Sequence, residues 1–410
     1  MGDDAELKRI ACEAIDSQTS YLRILSQDIW NHPELCFNEQ YAHKRLTDFL
    51  EERDFNVERS YKLETAFRAV PKYSRCKEED GYPNIAILCE YDALPGIGHA
   101  CGHNLIAMVG VAASLGVQAA LQSSAFQGRG GRLMVLGTPA EEGGGGKIEL
   151  IRAGAFEDVD VAMMAHPSQH NLSNPVYLAM KEVAIIYTGK ASHASGAPWD
   201  GINALDAAVQ CYTNISHLRQ QIKPTWRVHG VIINGGLKPN IIPDQSELLY
   251  YLRAPTVLEL DVLTKKVTDC IHGAAQATGC QVEIKLNKKP YSNLLSNNTL
   301  ASLYIDNGEK MGIQFEKDPE KTQKAGGSTD MGNVSHVVPS IHPKFFIDTT
   351  ASLHSKDFAT VAYTEKAETL SLKVAKALAM TAIDVLITPG LADKIKDEFK
   401  VATEAEKACR

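Results

Sequence analysis

The chain has 410 residues, 44% of them hydrophobic and 22% charged, and a formal net charge of -8. That length exceeds what one hydrophobic core supports and points to two domains, and the acidic balance excludes nonspecific nucleic-acid binding, which needs a basic face. No apolar run reaches the roughly 18 residues of a membrane helix.

The start, Met1-Gly2-Asp3-Asp4-Ala5-Glu6, has no apolar signal-peptide core, and Glu6 breaks a myristoylation motif. Nine cysteines, odd in number and irregularly spaced, read as reduced thiols. A cytoplasmic protein is expected, with a nuclear location left open.

In chain order, residues from about Glu6 to Arg53 pattern as two helices. The first carries Leu7, Ile10, Ala14, Tyr21, Leu22 and Leu25, and the second runs from about Glu39 to Glu52. Asn31-His32-Pro33-Glu34 separates them, because proline cannot continue the ladder. Asn84 to Cys89 is a short apolar run, consistent with a buried parallel strand. It leads into Glu90-Tyr91-Asp92-Ala93-Leu94-Pro95 and Gly96-Ile97-Gly98-His99-Ala100-Cys101-Gly102-His103-Asn104, a turn crowded with carboxylates, a thiol and imidazoles. A helical pattern from Leu105 to Leu121 leaves this turn. Arg132 to Thr138 and Val159 to Ala165 are further strands; Glu141-Glu142 follows the first and His166 the second. This half is expected to be an α/β sheet with its site at the carboxyl ends of the strands.

From Lys181 the pattern becomes strand (Val183–Thr188), helix (Gly201–Arg219), two strands (Arg227–Asn234, Ser246–Arg253), helix (Val257–Ala277) and strand (Gln281–Leu286). That βαββαβ order is ferredoxin-like. The expected fold is therefore α/β: a catalytic α/β/α domain at 1–180 and 293–410, with a ferredoxin-like lid inserted at 181–292. A helix at Asn298–Met311, the Gly326-Gly327-Ser328-Thr329-Asp330 loop, His354 and a helix from Tyr363 to Ile387 complete the chain.

Each chemical signal has an ordinary structural reading when taken alone. Cys101 and His103 can be packing residues, Glu141-Glu142 solvated loop acids, His166 a core histidine and His354 a surface one. Together, each ending an element of one α/β domain, they form a ligand set of Cys101, His103, Glu142, His166 and His354. Its mixed nitrogen, oxygen and sulfur donors suit Zn, Mn or Co better than Mg or Ca. The set exceeds one tetrahedral site and fits two ions sharing a water. Glu141, beside a ligand, is left to take the water's proton and pass it to the leaving amine.

Gly143-Gly144-Gly145-Gly146-Lys147 imitates a phosphate loop. Ile148 replaces the required hydroxyl residue, and Glu141 and Glu142 would repel phosphate, so a glycine turn beside the base is the better reading.

The segments Asn31-His32-Pro33-Glu34-Leu35, Glu90 to Pro95, Cys101-Gly102-His103-Asn104, Pro139-Ala140-Glu141-Glu142, Ala165-His166-Pro167 and Gly189-Lys190-Ala191-Ser192-His193-Ala194, with His354, occur in this order. Together they closely resemble metallopeptidase family twenty, in its aminoacylase-like amidohydrolase branch, over nearly the whole chain. Thr225 to Gly230 and Lys238 to Pro243 look most like the β-alanyl-lysine dipeptidase group of animals. The resemblance implies the same metal ligands and base, with Asp92 supporting the metal site from behind. It implies that the lid dimerises and that His193 stabilises the tetrahedral oxyanion across the dimer; a plain surface-turn role for His193 stays open. It also places Asn240 and Arg253 at the substrate carboxylate, a structural ion pair being the other reading of Arg253.

Asn104 stands where many members of the branch have Asp, and Gly327-Ser328-Thr329-Asp330 lacks the common Ser-Glu-Asp. Both departures bear on substrate shape. The expected activity is metal-dependent hydrolysis of a small dipeptide, a β-alanyl or γ-aminobutyryl group joined to Lys or ornithine. The alternatives are an N-acyl or aminobenzoyl-glutamate type amidohydrolase, or a non-catalytic metal-binding scaffold, which the intact Glu141 disfavours. A homodimer through the lid is expected, with no nucleic-acid or membrane partner.

Overall fold

The computed structural model describes residues 3–72, 81–126 and 130–408. The chain divides into two compact units. One extends to Val176 and resumes over Leu294–Lys324 and Thr329–Lys407; the other comprises Tyr177–Asn293 and Ala325–Ser328.

The first unit contains β1 (Phe55–Arg59), β2 (Phe67–Pro71), β3 (Asn84–Cys89), β4 (Arg132–Gly137), β5 (Val161–Met163) and β6 (His166–Ser168). The second holds β7 (Ala179–Thr188), β8 (Arg227–Asn234), β9 (Gln245–Ala254) and β10 (Gln281–Leu286). The first then closes with β11 (Ser340–Ile341) and β12 (Lys344–Phe346).

A sheet in the order β1-β2-β4-β3-β5-β11 frames the first unit. β4, β3, β5 and β11 are parallel, while β2 and β1 add on antiparallel. Every residue of β3 is buried, as a parallel strand covered on both faces requires. Each Ile or Leu buried there contributes about 1.5–3 kcal/mol. The helix His103–Gln122 leaves the end of this strand and is buried along nearly its whole length, sharing a core with the helices Asp3–Ser17 and Glu365–Ile387. One sequence expectation needs correction here. This helix is long and apolar enough to cross a membrane by length and composition, but 89% of its apolar window is buried inside the protein.

Other elements also depart from the patterning. The first expected N-terminal helix is two, Asp3–Ser17 and Thr19–Asn31, broken at Gln18. Polar side chains compete with the helix there: Ser17 donates to the Ala14 carbonyl, and Gln18 accepts from Arg53. β1 and β2 form an antiparallel hairpin in a stretch with too little apolar periodicity to be assigned. A last helix, Leu391–Ala408, follows the one that was expected to end the chain.

The second unit is an antiparallel sheet in the order β10-β7-β9-β8 with helices Ala204–His217 and Val257–Thr278. Alternate residues of β9 are buried against those helices, the period-two signature of a sheet covered on one face. Asn203 and Thr256 start the two helices by accepting their first N–H groups. The seven described cysteines are free; Cys76 and Cys409 lie outside the described residues.

Candidate active site

The site grows from the carboxyl end of β3, where Glu90, Tyr91 and Asp92 turn into the interior and are buried. Tyr91 anchors the turn by donating to the Thr65 carbonyl at 2.5 Å. Further on, Gly102 has φ +79 and packs so closely that a Cβ would lie 2.6 Å from Pro167 Cγ. Only glycine fits that conformation and contact. It sets Cys101 just before the helix and His103 as its first residue, both facing the His166-Pro167 segment.

The hydrogen bonds fix which nitrogen each histidine presents. His103 Nδ1 lies 3.0 Å from Asp92 Oδ1, and Asp92 Oδ2 accepts the Glu142 N–H at 2.9 Å. A carboxylate only accepts, so Nδ1 of His103 carries a proton and Nε2 is the nitrogen left to face a metal. His166 Nδ1 likewise donates to the Pro167 carbonyl at 2.7 Å, leaving Nε2 at 3.3 Å from Cys101 Sγ. His354 Nε2 lies 3.2 Å from Glu142 Oε1. Its backbone is held in the left-handed region, φ +63, by donation to the Ala100 carbonyl and by Ser355 capping the next helix. A non-glycine residue there stores roughly 1–3 kcal/mol.

Ligand atoms of Cys101, His103 and His166 all lie within 4.8 Å of one another, and so do those of Cys101, Glu142 and His354. These triplets share Cys101 and together gather every ligand expected from the sequence. A third, His103, Glu141 and Glu142, brings in the expected base. The cluster fits a metal on two further grounds. His103 Nε2 is buried with no hydrogen-bond partner among the described residues, and Glu142 Oε1 is buried with His354 Nε2 beside it but no well-aligned hydrogen bond. Burial and the Glu142 charge push the Cys101 thiol well above its usual range, and burial pushes the His166 ring well below its own. A divalent cation would reverse the first and bind the neutral ring as it stands.

The acids around the cluster are held in different states. Burial alone would raise the Asp92 carboxyl, but the facing His103 and the Glu142 N–H keep it below the usual carboxylate range. Burial and then the charges of Glu142, Glu90 and Asp330 push Glu141 well above that range.

The loop carrying the two glutamates is shaped by its neighbours. Ala140 has φ +60, and a Cβ on Gly146 would meet the Pro139 carbonyl oxygen at 1.8 Å. The Ala140 N–H donates to Glu39 Oε1 at 3.0 Å, and Glu39 also accepts from the Phe37 N–H and the Thr65 hydroxyl. Glu39 thus holds the backbone just before Glu141 from a distant helix start. Glu34 of the Asn31–Leu35 motif has a structural task, accepting the Tyr41 and Ala42 N–H groups at the start of helix Gln40–Glu51.

Sequence reasoning missed Glu39, Glu90 and Asp330 as site groups and left Lys147 as a false phosphate-loop residue. The structure buries Lys147 against Glu90 and Asp330. The available signal was the acid Glu90 directly after the apolar run Ile85–Cys89, with a lysine in a glycine-rich turn further on.

His193, Asn240 and Arg253 are in the second unit. His193 and Asn240 lie on adjoining exposed segments, joined by a His193–Ile241 bridge and the Ala194 N–H donating to the Asn240 carbonyl. His193 Nδ1 accepts from the Gly196 N–H at 3.0 Å. Arg253, on β9, donates to Ser328 Oγ at 2.9 Å.

Residues 165–278 match the family model described as a peptidase dimerisation domain. The chain is 52% identical over 405 residues to mouse Xaa-Arg dipeptidase, covering 98% of this chain and 94% of that protein. It is 50% identical over 408 residues to the human Xaa-Arg dipeptidase, with the same coverage, 98% and 94%. Among solved structures, a dinuclear metal-binding peptidase of the M20 family from Bacillus subtilis is similar, with TM-score 0.66 and 22% identity over 91% of this chain and 99% of that one. That last likeness bears on the fold alone.

Proposed function

The chain belongs to metallopeptidase family twenty and is a metal-dependent dipeptidase; from that premise we propose that it hydrolyses dipeptides ending in a basic residue, Lys, ornithine or Arg. A β-alanyl or γ-aminobutyryl group is the proposed amino-terminal partner. The observation that carries the reading is the convergence of Cys101, His103, Glu142, His166 and His354, with Glu141 beside His103 and Glu142. Full-length identity to Xaa-Arg dipeptidases supports the basic carboxyl-terminal residue.

We assign the ligands to two ions of Zn, Mn or Co, one facing Cys101, His103 and His166 and one facing Cys101, Glu142 and His354. When bound, such ions polarise the scissile carbonyl and acidify the attacking water. Glu141 takes the water's proton and returns it to the leaving amine, a double task suited to a carboxyl raised by burial. Asp92 keeps His103 in its ligating tautomer. His193 accepts a backbone N–H at Nδ1, so Nε2 carries the proton, which supports its role as an oxyanion donor. Asn240 and Arg253 are assigned to the substrate carboxylate. Homodimerisation through the second unit is part of the same proposal, supported by its match to the dimerisation domain.

The test is hydrolysis by the purified chain, with added Mn, Co or Zn, of β-alanyl-lysine, dipeptides ending in Arg, and aminobenzoyl-glutamate. Basic dipeptides are expected to be preferred, and Glu141→Gln to lose about 10²–10⁴ in rate while keeping its metal. Preference for aminobenzoyl-glutamate would sink the substrate assignment. Full activity in Glu141→Gln would sink the base.

A further inference from the structure

Beside the ligand cluster, one buried cation pairs with two carboxylates, and a third adjoins those two. Lys147 is 0% exposed. Its Nζ lies against Glu90 Oε1 and 2.7 Å from Asp330 Oδ1, and its backbone N–H donates to Asp330 Oδ2 at 2.9 Å. One oxygen from each of Glu90, Glu141 and Asp330 lies within 4.8 Å of the others. Glu90 and Asp330 are fully buried and Glu141 nearly so. The second Glu90 oxygen, Oε2, is buried with no hydrogen-bond partner among the described residues and stands 3.6 Å from His103 Nε2.

Carboxylates this close cannot all stay ionised in a dry interior without a positive charge among them. A proton, a metal ion or a side chain can supply it. An all-oxygen cage of this kind suits a hard divalent cation such as Mg, Mn or Ca, and it adjoins a cluster that collects divalent ions. The close packing of Gly146 on the Pro139 carbonyl delivers Lys147 here instead, and Asp330 holds both its ammonium and its backbone N–H.

We propose that Lys147 is a built-in counter-ion standing where a further metal ion would otherwise bind: its ammonium fills the cage of Glu90, Glu141 and Asp330. It thereby confines divalent ions to Cys101, His103, Glu142, His166 and His354. This gives a task to Lys147, which the hydrolytic reading does not use. The proposal rests on that reading only for the nature of the neighbouring ions, because the cage is tested by a difference in metal count.

The experiment compares the full chain with Lys147→Met after equilibration with Mn²⁺ and desalting, using elemental analysis and an electron-spin titration of bound Mn²⁺. Lys147→Met is expected to bind one Mn²⁺ more per chain than the parent, whatever the parent's own count. Lys147→Arg should keep the parent's count, and Lys147→Met with Asp330→Asn should lose the extra ion. Folded Lys147→Met with the parent's count overturns the proposal. If Lys147→Met does not fold in chelator, Mn²⁺, Mg²⁺ or Ca²⁺ should restore its circular dichroism and thermal transition; failure of all three also overturns it. A parent that binds no metal refutes the dipeptidase reading and leaves the Lys147→Met titration as the test of the cage.

Discussion

Asp92 Oδ1 lies 3.0 Å from His103 Nδ1. The other oxygen of the same carboxylate accepts the Glu142 N–H at 2.9 Å, so one buried acid orients two proposed ligands, His103 on a helix and Glu142 on a loop. The two residues come from different elements, and Asp92 is their common support.

Asp92→Asn keeps the shape but removes half of this support. An amide presents one acceptor and one donor, so either His103 Nδ1–H or the Glu142 N–H then faces a donor. Metal affinity is expected to fall about 10–100-fold, the usual cost of losing a partner behind a ligand. Titration of the metal-free chain with Zn²⁺ or Mn²⁺ measures it, and unchanged affinity would remove Asp92 from the metal centre.

Gly102→Ala places a Cβ 2.6 Å from Pro167 Cγ and 3.3 Å from Phe358 Cε1, at a left-handed φ of +79. The backbone penalty and the overpacking together predict a loss of about 2–5 kcal/mol. Because Pro167 adjoins His166, metal binding should weaken as well. Urea unfolding with and without metal separates the two effects, and a midpoint equal to the parent's would contradict the packing.

Glu368 supplies the expected pH dependence away from the metal centre. Its carboxyl is buried, accepts from Gln27 at 3.1 Å and has Arg23 Nε 3.8 Å away, and burial pushes its pKa up to about 7 against those two groups. The folded state then holds this proton after the unfolded chain has lost it, so stability falls as pH rises from the ordinary carboxylate range to about 7. The fall is at most about 3 kcal/mol. Glu368→Gln has no such proton and should gain on the parent between pH 5 and pH 8.5 in denaturant unfolding. A constant difference between the two proteins would show that the carboxyl does not titrate there.

Much of the fold was legible because it is written locally. The apolar run Asn84–Cys89, the helix after it and the βαββαβ order of the second unit follow from period and length alone. The β1–β2 hairpin and the break at Gln18 were not legible, since short polar strands and side-chain competition leave no period to read.

The ligand types were legible for the same local reason: chemistry placed where apolar strands end. The sequence by itself thus determined the α/β frame and the donor types gathered where its strands end. Only the tertiary structure decided the pairings, because they join residues far apart in the chain. Cys101 meets His166 across 65 positions, Ala140 meets Glu39 across 101, and Lys147 meets Asp330 across 183. No local pattern encodes such partners. They are selected when burial removes water and every charged or polar group must find its counterpart inside the protein.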